Sequence, residues 1–142
     1  GGEGRNLQFC NTVVNFDLPW NPLKIEQRIG RVHRLGQTRE VYIVNLWAKN
    51  TVEEYVIELL DRKINMFHLV VGELDLILGN LDRPKAFEEV LMDIWTIQDL
   101  ARRKAELQAF GEELLAARTR YESVKLYEEG LFGSDLAVEA PP

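Results

Sequence analysis

Residues 11–47 read NTVVNFDLPWNPLKIEQRIGRVHRLGQTREVYIVNLW, and their pattern decides the fold. Asn11 to Phe16 is a short apolar run through Val13, Val14 and Phe16, the mark of a buried strand. Asp17-Leu18-Pro19 ends it. Asn21 then offers an N-cap, Pro22 suits the first helical position, and Trp20 and Ile25 are spaced as a hydrophobic staple. Gly36, after Leu35, is a C-terminal stop. Val41 to Trp47 is a second strand, β-branched and aromatic, whose nearly continuous apolar character predicts cover on both faces. Strand, helix and strand over this length make a βαβ unit, and its parallel pairing is expected to be right-handed.

Downstream the pattern turns helical. Thr51-Val52-Glu53-Glu54 reads as a capping box, with Thr51 as N-cap and Glu54 reaching back. Val52, Tyr55, Val56, Leu59, Leu60, Ile64 and Phe67 follow at helical spacing. Gly72 and Gly79-Asn80 interrupt the run. Beyond Pro84 another stripe appears, Phe87, Val90, Leu91, Ile94, Ile97 and Leu100. A stricter heptad then joins Leu107, Phe110, Leu114, Ala117, Tyr121 and Val124. That seam predicts a helical hairpin or a coiled-coil contact. Gly111 within it costs about 1 kcal/mol of helix propensity and argues against one unbroken helix. From Gly130 the chain reads as frayed. The predicted fold class is therefore α/β but predominantly helical. Residues 1–71 hold about two parallel strands with helices, and residues 72–142 a helical extension.

Composition sets further bounds. The chain has 142 residues, 46% of them hydrophobic and 28% charged, the balance of a soluble globular protein. Its single cysteine, Cys10, leaves no internal disulfide and no cysteine-based zinc site. Its apolar runs are far shorter than the roughly 20 residues needed to span a bilayer, so no membrane partner is expected. The net charge of −6 is uneven. Residues 1–70 carry nine Lys/Arg and eight Asp/Glu, a net of +1; residues 71–142 carry eight and fifteen, a net of −7. An acidic chain does not bind nucleic acid by bulk charge, so any such contact needs a local patch. Lys24, Arg28, Arg31, Arg34 and Arg39, opposed only by Glu26 across that stretch, supply one.

Those arginines also form a pattern on the first helix. At about 100° per residue, Gln27, Arg31 and Arg34 fall on one face, and Ile25, Ile29 and Val32 on roughly the opposite one. The apolar side grips the sheet while the other offers an amide and two guanidiniums. Gly30 keeps the neighbouring surface bare for close approach. Two arginines a turn apart suit a polyphosphate, because each can fork onto phosphate oxygens. Arg28 lies off this face. Taken alone, such a stripe is more often only solvated.

Context narrows the reading. Gln27 through Gln37, QRIGRVHRLGQ, resembles motif VI of superfamily-two helicases in its Swi/Snf-type form. Gly1-Gly2-Glu3-Gly4-Arg5-Asn6-Leu7 resembles the motif V loop, and Asp17 through Pro22, DLPWNP, the segment joining the two. Asn50 through Glu54 resembles the segment that opens the helix after the last strand. Together these cover residues 1–65 in the family's order, and the LPWNP form is most similar to bacterial Swi/Snf-like ATPases. The resemblance implies the C-terminal part of a second RecA-like lobe. Arg31 and Arg34 would then be arginine fingers, with Gln27 and Gly30 beside the nucleotide. Gly2, Gly4, Arg5 and Asn6 would touch the DNA backbone, and Trp20 would stack on a base unless it serves only as the staple. ATP and Mg²⁺ would be used by the intact parent, and none would bind this piece alone. Double-stranded DNA and the first RecA-like lobe would be the partners.

The departures matter too. No G-x-x-x-x-G-K-[ST] and no Asp-Glu pair occurs in the sequence, so this chain is expected not to hydrolyse ATP by itself. The abrupt glycine-rich start reads as a truncated piece. The alternative function is a non-enzymatic, shortened product acting as a helical interaction or oligomerisation module, with the heptad as a homo-oligomer seam. A bacterial cytoplasmic setting, associated with the nucleoid through DNA, follows from the resemblance. No metal role is expected for His33, which lacks neighbouring ligands; His68 reads as packed or surface, and Cys10, Trp47 and Trp95 as core.

Overall fold

The computed structural model describes residues 7, 9–33, 36–69 and 72–133, with the side chains of Phe132 and Gly133 left aside. Strand β1 (Thr12–Asn15) pairs in parallel with β2 (Tyr42–Asn45), and helix α1 (Pro22–Ile29) connects them. Helix α2 (Val52–Glu58) continues as a π-helical segment, Leu59–Ile64, and then a 3₁₀ turn, Met66–His68. Helices α3 (Glu73–Leu78), α4 (Phe87–Trp95) and α5 (Leu100–Gly133) complete the order. The result is a βαβ unit buttressed by helices, as the periodicities predict.

One core runs through all of it. Ile25 and Ile29 of α1, Val56 of α2, Leu60 and Ile64 of the π segment, Leu74 and Ile77 of α3, Leu91 of α4, and Phe110 and Leu114 of α5 belong to the same buried cluster. The cluster crosses residues 70–71 without a break, so the helical extension buries the inner face of the βαβ unit. The Leu107–Ala117 seam is consumed inside the chain. Leu107, Phe110, Leu114 and Ala117 are buried, whereas Val124 is 56% exposed. The seam predicted for a coiled coil thus packs intramolecularly, against the π segment, α3 and α4.

Several expectations are corrected. Among the described residues the sheet is covered on one face only. Val14 is 57% and Phe16 82% exposed, and Tyr42, Val44 and Leu46 on the paired strand are also exposed, while Ile43 packs on the core. The cause is the period of two: a strand shows alternate side chains to each side, and all the helices of the shared core lie on one. Trp47 and Cys10 are exposed rather than core. Trp95 is half-buried, edge-on to Tyr55 at 5.6 Å between ring centroids. Leu100 is 68% exposed because it starts a new helix instead of continuing the α4 stripe.

The stretch read as one helix from Val52 to Phe67 is α-helical and then π-helical as far as Ile64, breaks at Asn65, which adopts φ 55°, and resumes as a 3₁₀ turn. The capping box closes differently: Thr51 makes no side-chain cap, its hydroxyl donating to Ala48 O at 2.7 Å. Glu54 instead accepts the Asn50 N–H at 2.7 Å, and Asn50 takes the left-handed φ of 60° that a short polar residue tolerates. Helix α5 passes through Gly111 and Gly130 unbroken to Gly133. At Gly111 the reason is contact: an added Cβ would meet Leu59 Cδ2 and Lys63 Cε, each at 3.2 Å, so glycine brings α5 close to the π segment.

Candidate functional site

Helix α1 begins as its sequence dictates. Asn21 Oδ1 accepts the Leu23 N–H at 2.9 Å, which makes it the N-cap, and Pro22 follows at the first helical position. The same Asn21 donates through Nδ2 to Glu88 at 3.0 Å, tying the helix start to α4. Pro22, Ile25 and Ile29 are buried against the core, and Gln27 stands exposed.

The helix ends earlier than Gly36. Its last residue is Ile29, and Gly30 is the cap, at φ −62°. Beyond it the chain tightens into turns: Val32 N–H donates to Ile29 O at 3.0 Å and His33 N–H to the same carbonyl at 2.8 Å. Arg31 is therefore carried on a turn at the helix end, half-buried, with Gly30 buried before it and Val32 only 3% exposed after it. A wheel at 100° per residue therefore does not extend to position 31. Gly36 takes φ +96°, so it is a left-handed turn residue, separated from the helix by several residues. Arg34, and with it Gly2, Gly4, Arg5 and Asn6, lie outside the described residues.

Two polar assemblies hold the arginine turn in place. The first ties it to the chain before β1: Leu7 N–H donates to Arg31 O at 3.0 Å, and Cys10 N–H closes a turn onto Leu7 O at 2.9 Å. The second lies at the C-terminal ends of the strands. Asn15, 1% exposed, donates through Nδ2 to Asn45 Oδ1 at 2.8 Å across the parallel register, where the two residues are partners. Arg28 Nη1 donates to Asn15 Oδ1 at 3.3 Å and to Asp17 O at 2.7 Å. Arg28, read from sequence as merely off the stripe, therefore anchors α1 to the end of β1, and through the Asn15–Asn45 pair reaches β2. Nothing in the periodicity signals this, although asparagine at matching positions of two predicted strands is a cue to a paired amide.

Trp20 is half-buried, and its indole N–H donates to Glu53 Oε1 at 3.4 Å. Burial pushes the Glu53 carboxyl up, but hydrogen bonds from its own backbone N–H and the Trp20 indole, with the Thr51 side chain beside it, hold it below the usual range. Glu53 at the start of α2 thus receives one donor, Trp20, from the DLPWNP segment, a partnership that its capping position alone did not suggest. His33 and Glu26 line a cleft of about 150 Å³ with Ile29, Ile43, Met66 and Phe67. Among the described residues no cluster of three His, Cys, Asp or Glu could hold a metal ion.

Chemically, the assembly presents one exposed amide, Gln27, and one arginine on a turn braced from two sides. The chemistry of these two groups is that of hydrogen-bond donors suited to an anion.

Residues 1–36 match the family described as Helicase conserved C-terminal domain. Over 94 residues, 66% of this chain and 17% of the relative, the sequence is 60% identical to the uncharacterized ATP-dependent helicase YqhH of Bacillus subtilis. It is 46% identical over 67 residues to the RNA polymerase-associated protein RapA of Vibrio campbellii, covering 47% of this chain and 7% of that one. It is 31% identical over 144 aligned residues to the chromatin-remodeling ATPase INO80 of Mycosarcoma maydis, 99% of this chain and 7% of the relative. The chain thus spans less than a fifth of the length of these relatives. No helix among the described residues is long and apolar enough to cross a membrane.

Proposed function

The chain is a Swi/Snf-type helicase C-terminal region, and from that premise we propose that it supplies the arginine-bearing wall of an ATP site in a DNA-dependent ATPase. The observation that carries the reading is the bracing of the Arg31 turn, pinned by Leu7 at its carbonyl and standing at the end of a helix tied by Arg28 to the end of β1. An arginine acts on a phosphoryl group most effectively when its main chain is held still, since preorganised donors need no rearrangement at the moment of reaction.

Arg31 and Arg34 would donate to the oxygens of the transferring phosphoryl group and offset charge as it develops. Gln27, with Gly30 after it, would border the nucleotide. The donor set is cationic and amide, suited to phosphate oxygens and not to Mg²⁺, which would be held by carboxylates of the first lobe. DNA would be met by Gly2, Gly4, Arg5, Asn6 and Trp20. The helical extension supports the same task by closing the inner core.

The test is made in the full-length enzyme. Arg34→Ala and Arg31→Ala should each lower turnover by about 10³ or more while nucleotide binding persists, because an arginine finger is worth roughly 10³–10⁵ in rate. Near-normal turnover by Arg34→Ala would sink the assignment. An interaction-module reading is favoured by the exposed sheet face alone, and it predicts that neither arginine affects turnover.

A further inference from the structure

Gln37 bonds to the main chain at three points, two of them outside its own turn. Its Nε2 donates to Cys10 O at 2.9 Å and to Val32 O at 3.2 Å, and its Oε1 accepts the Arg39 N–H at 3.1 Å. The amide's orientation is fixed by these partners, because carbonyls require a donor and an N–H requires an acceptor. Val32 follows Arg31 directly and is buried; Cys10 closes the turn whose first residue, Leu7, donates to Arg31 O. The result is a closed ring: Leu7 to Arg31 through the main chain, Val32 to Cys10 through Gln37, and Cys10 back to Leu7. A turn held at two points cannot pivot about either. Among the described residues Gln37 thus adds a second tie to the Leu7–Arg31 bond, and a second tie resists pivoting about the first.

We propose that Gln37 is a positioning residue that makes the Leu7–Cys10 turn and the arginine turn move as one body, so that a ligand on the chain before Leu7 adjusts the placement of Arg31. The inference rests on the reading above, in which that preceding stretch meets DNA and Arg31 meets phosphate. Gln37 itself touches neither. The chemistry it serves is transmission: displacement on one side is carried through two carbonyls held by a single planar amide.

The test uses Gln37→Ala and Gln37→Glu in the full-length enzyme, with and without duplex DNA, beside Arg34→Ala. Glu keeps the length of the side chain but cannot donate to the two carbonyls. Both Gln37 variants should lose about 10- to 100-fold in DNA-stimulated kcat, the scale of an ångström-sized misplacement. DNA-free turnover should fall far less, and the KM for ATP should stay within about threefold. In the 142-residue chain, amide exchange at Leu7 should speed up in both. Unchanged exchange at Leu7 would overturn the proposal. So would a stimulation ratio within about twofold of the parent, or equal losses with and without DNA, the mark of a purely structural role. If Arg34→Ala retains turnover, the arginine assignment fails first and takes this inference with it. If Arg34→Ala is inactive and the Gln37 variants are normal, only the Gln37 inference falls.

Discussion

Arg28 shows how much one side chain can change its meaning between sequence and structure. By spacing it is one more cation in a basic stretch; by contact it is the donor that satisfies the buried Asn15. Removing it strips a nearly buried amide oxygen of a charge-assisted hydrogen bond, a loss of about 1–3 kcal/mol. Arg28 is itself 36% exposed at the side chain, so water can partly replace it and the lower half of that range applies. We expect Arg28→Ala to destabilise the chain by about 1–1.5 kcal/mol in urea unfolding and Arg28→Lys to recover part of that. A midpoint unchanged by Arg28→Ala would mean that the strand-end cluster bears no load. The same cluster makes Arg28→Ala a poor neutral control for turnover, since α1 carries Gln27 and leads into Arg31. Gly111 makes a second residue-scale case. Alanine there gains about 1 kcal/mol of helix propensity, but its Cβ meets Leu59 and Lys63 at 3.2 Å, so the two effects nearly cancel. Leucine cannot be accommodated by a small shift, and Gly111→Leu should cost about 1–3 kcal/mol, read from the thermal midpoint.

Elements were legible in the sequence where a local signal sufficed. Asn21-Pro22 marked the start of α1 because capping needs only neighbours, and the Phe87–Ile94 stripe marked α4 for the same reason. What was not legible depends on distant packing. The π-helical winding at Leu59–Ile64 lies where the segment meets α5 at Gly111, and periodicity from Val52 to Phe67 cannot reveal it. Full cover of both sheet faces was read from apolar runs, which report what a strand can bury and not what this chain places over it. At the candidate site, QRIGRVHRLGQ marked the segment, but the ties through Gln37 and Leu7 join residues some 25 positions apart. The pairing of α3 with α5 gives an element-scale prediction. Tyr121 OH donates to Glu73 Oε1 at 3.0 Å and Lys125 Nζ reaches the same oxygen at 2.6 Å. Burial first, then the hydrogen bond to Glu73, raises the phenol of Tyr121, and the hydrogen bond to Glu73 raises the Lys125 ammonium. Raised pKa values in the folded state mean that this contribution is complete at neutral pH and is lost as pH climbs through and above the ordinary Tyr and Lys range. Thermal midpoints from pH 8 to 11 should therefore fall more steeply for the parent than for Glu73→Gln. Identical slopes would show that the latch does not contribute.

At the scale of the whole molecule, the described residues form a closed inner side and an open outer one. Inside, α5 delivers Leu107, Phe110, Leu114 and Ala117 into the same cluster as Ile25 of α1, so the helical extension and the βαβ unit should unfold together. Outside, Val14, Phe16, Tyr42, Val44 and Leu46 leave one face of the sheet in water. Contiguous exposed apolar surface favours association. Self-association of the isolated chain is therefore expected through the sheet, and not through the heptad from Leu107, whose seam is already filled. Two substitutions separate these routes. Val44→Lys places a charge on the open face, 43% exposed already, and should lower association in light scattering while leaving the thermal midpoint nearly unchanged. Leu114→Asp, at a position with no exposure, puts an unpaired carboxylate in the core and should unfold the chain outright instead of yielding a folded monomer. If Leu114→Asp gave a stable, folded monomer, the heptad would be an intermolecular seam after all. If Val44→Lys left association untouched, the open sheet face would not be the surface that copies of this chain share.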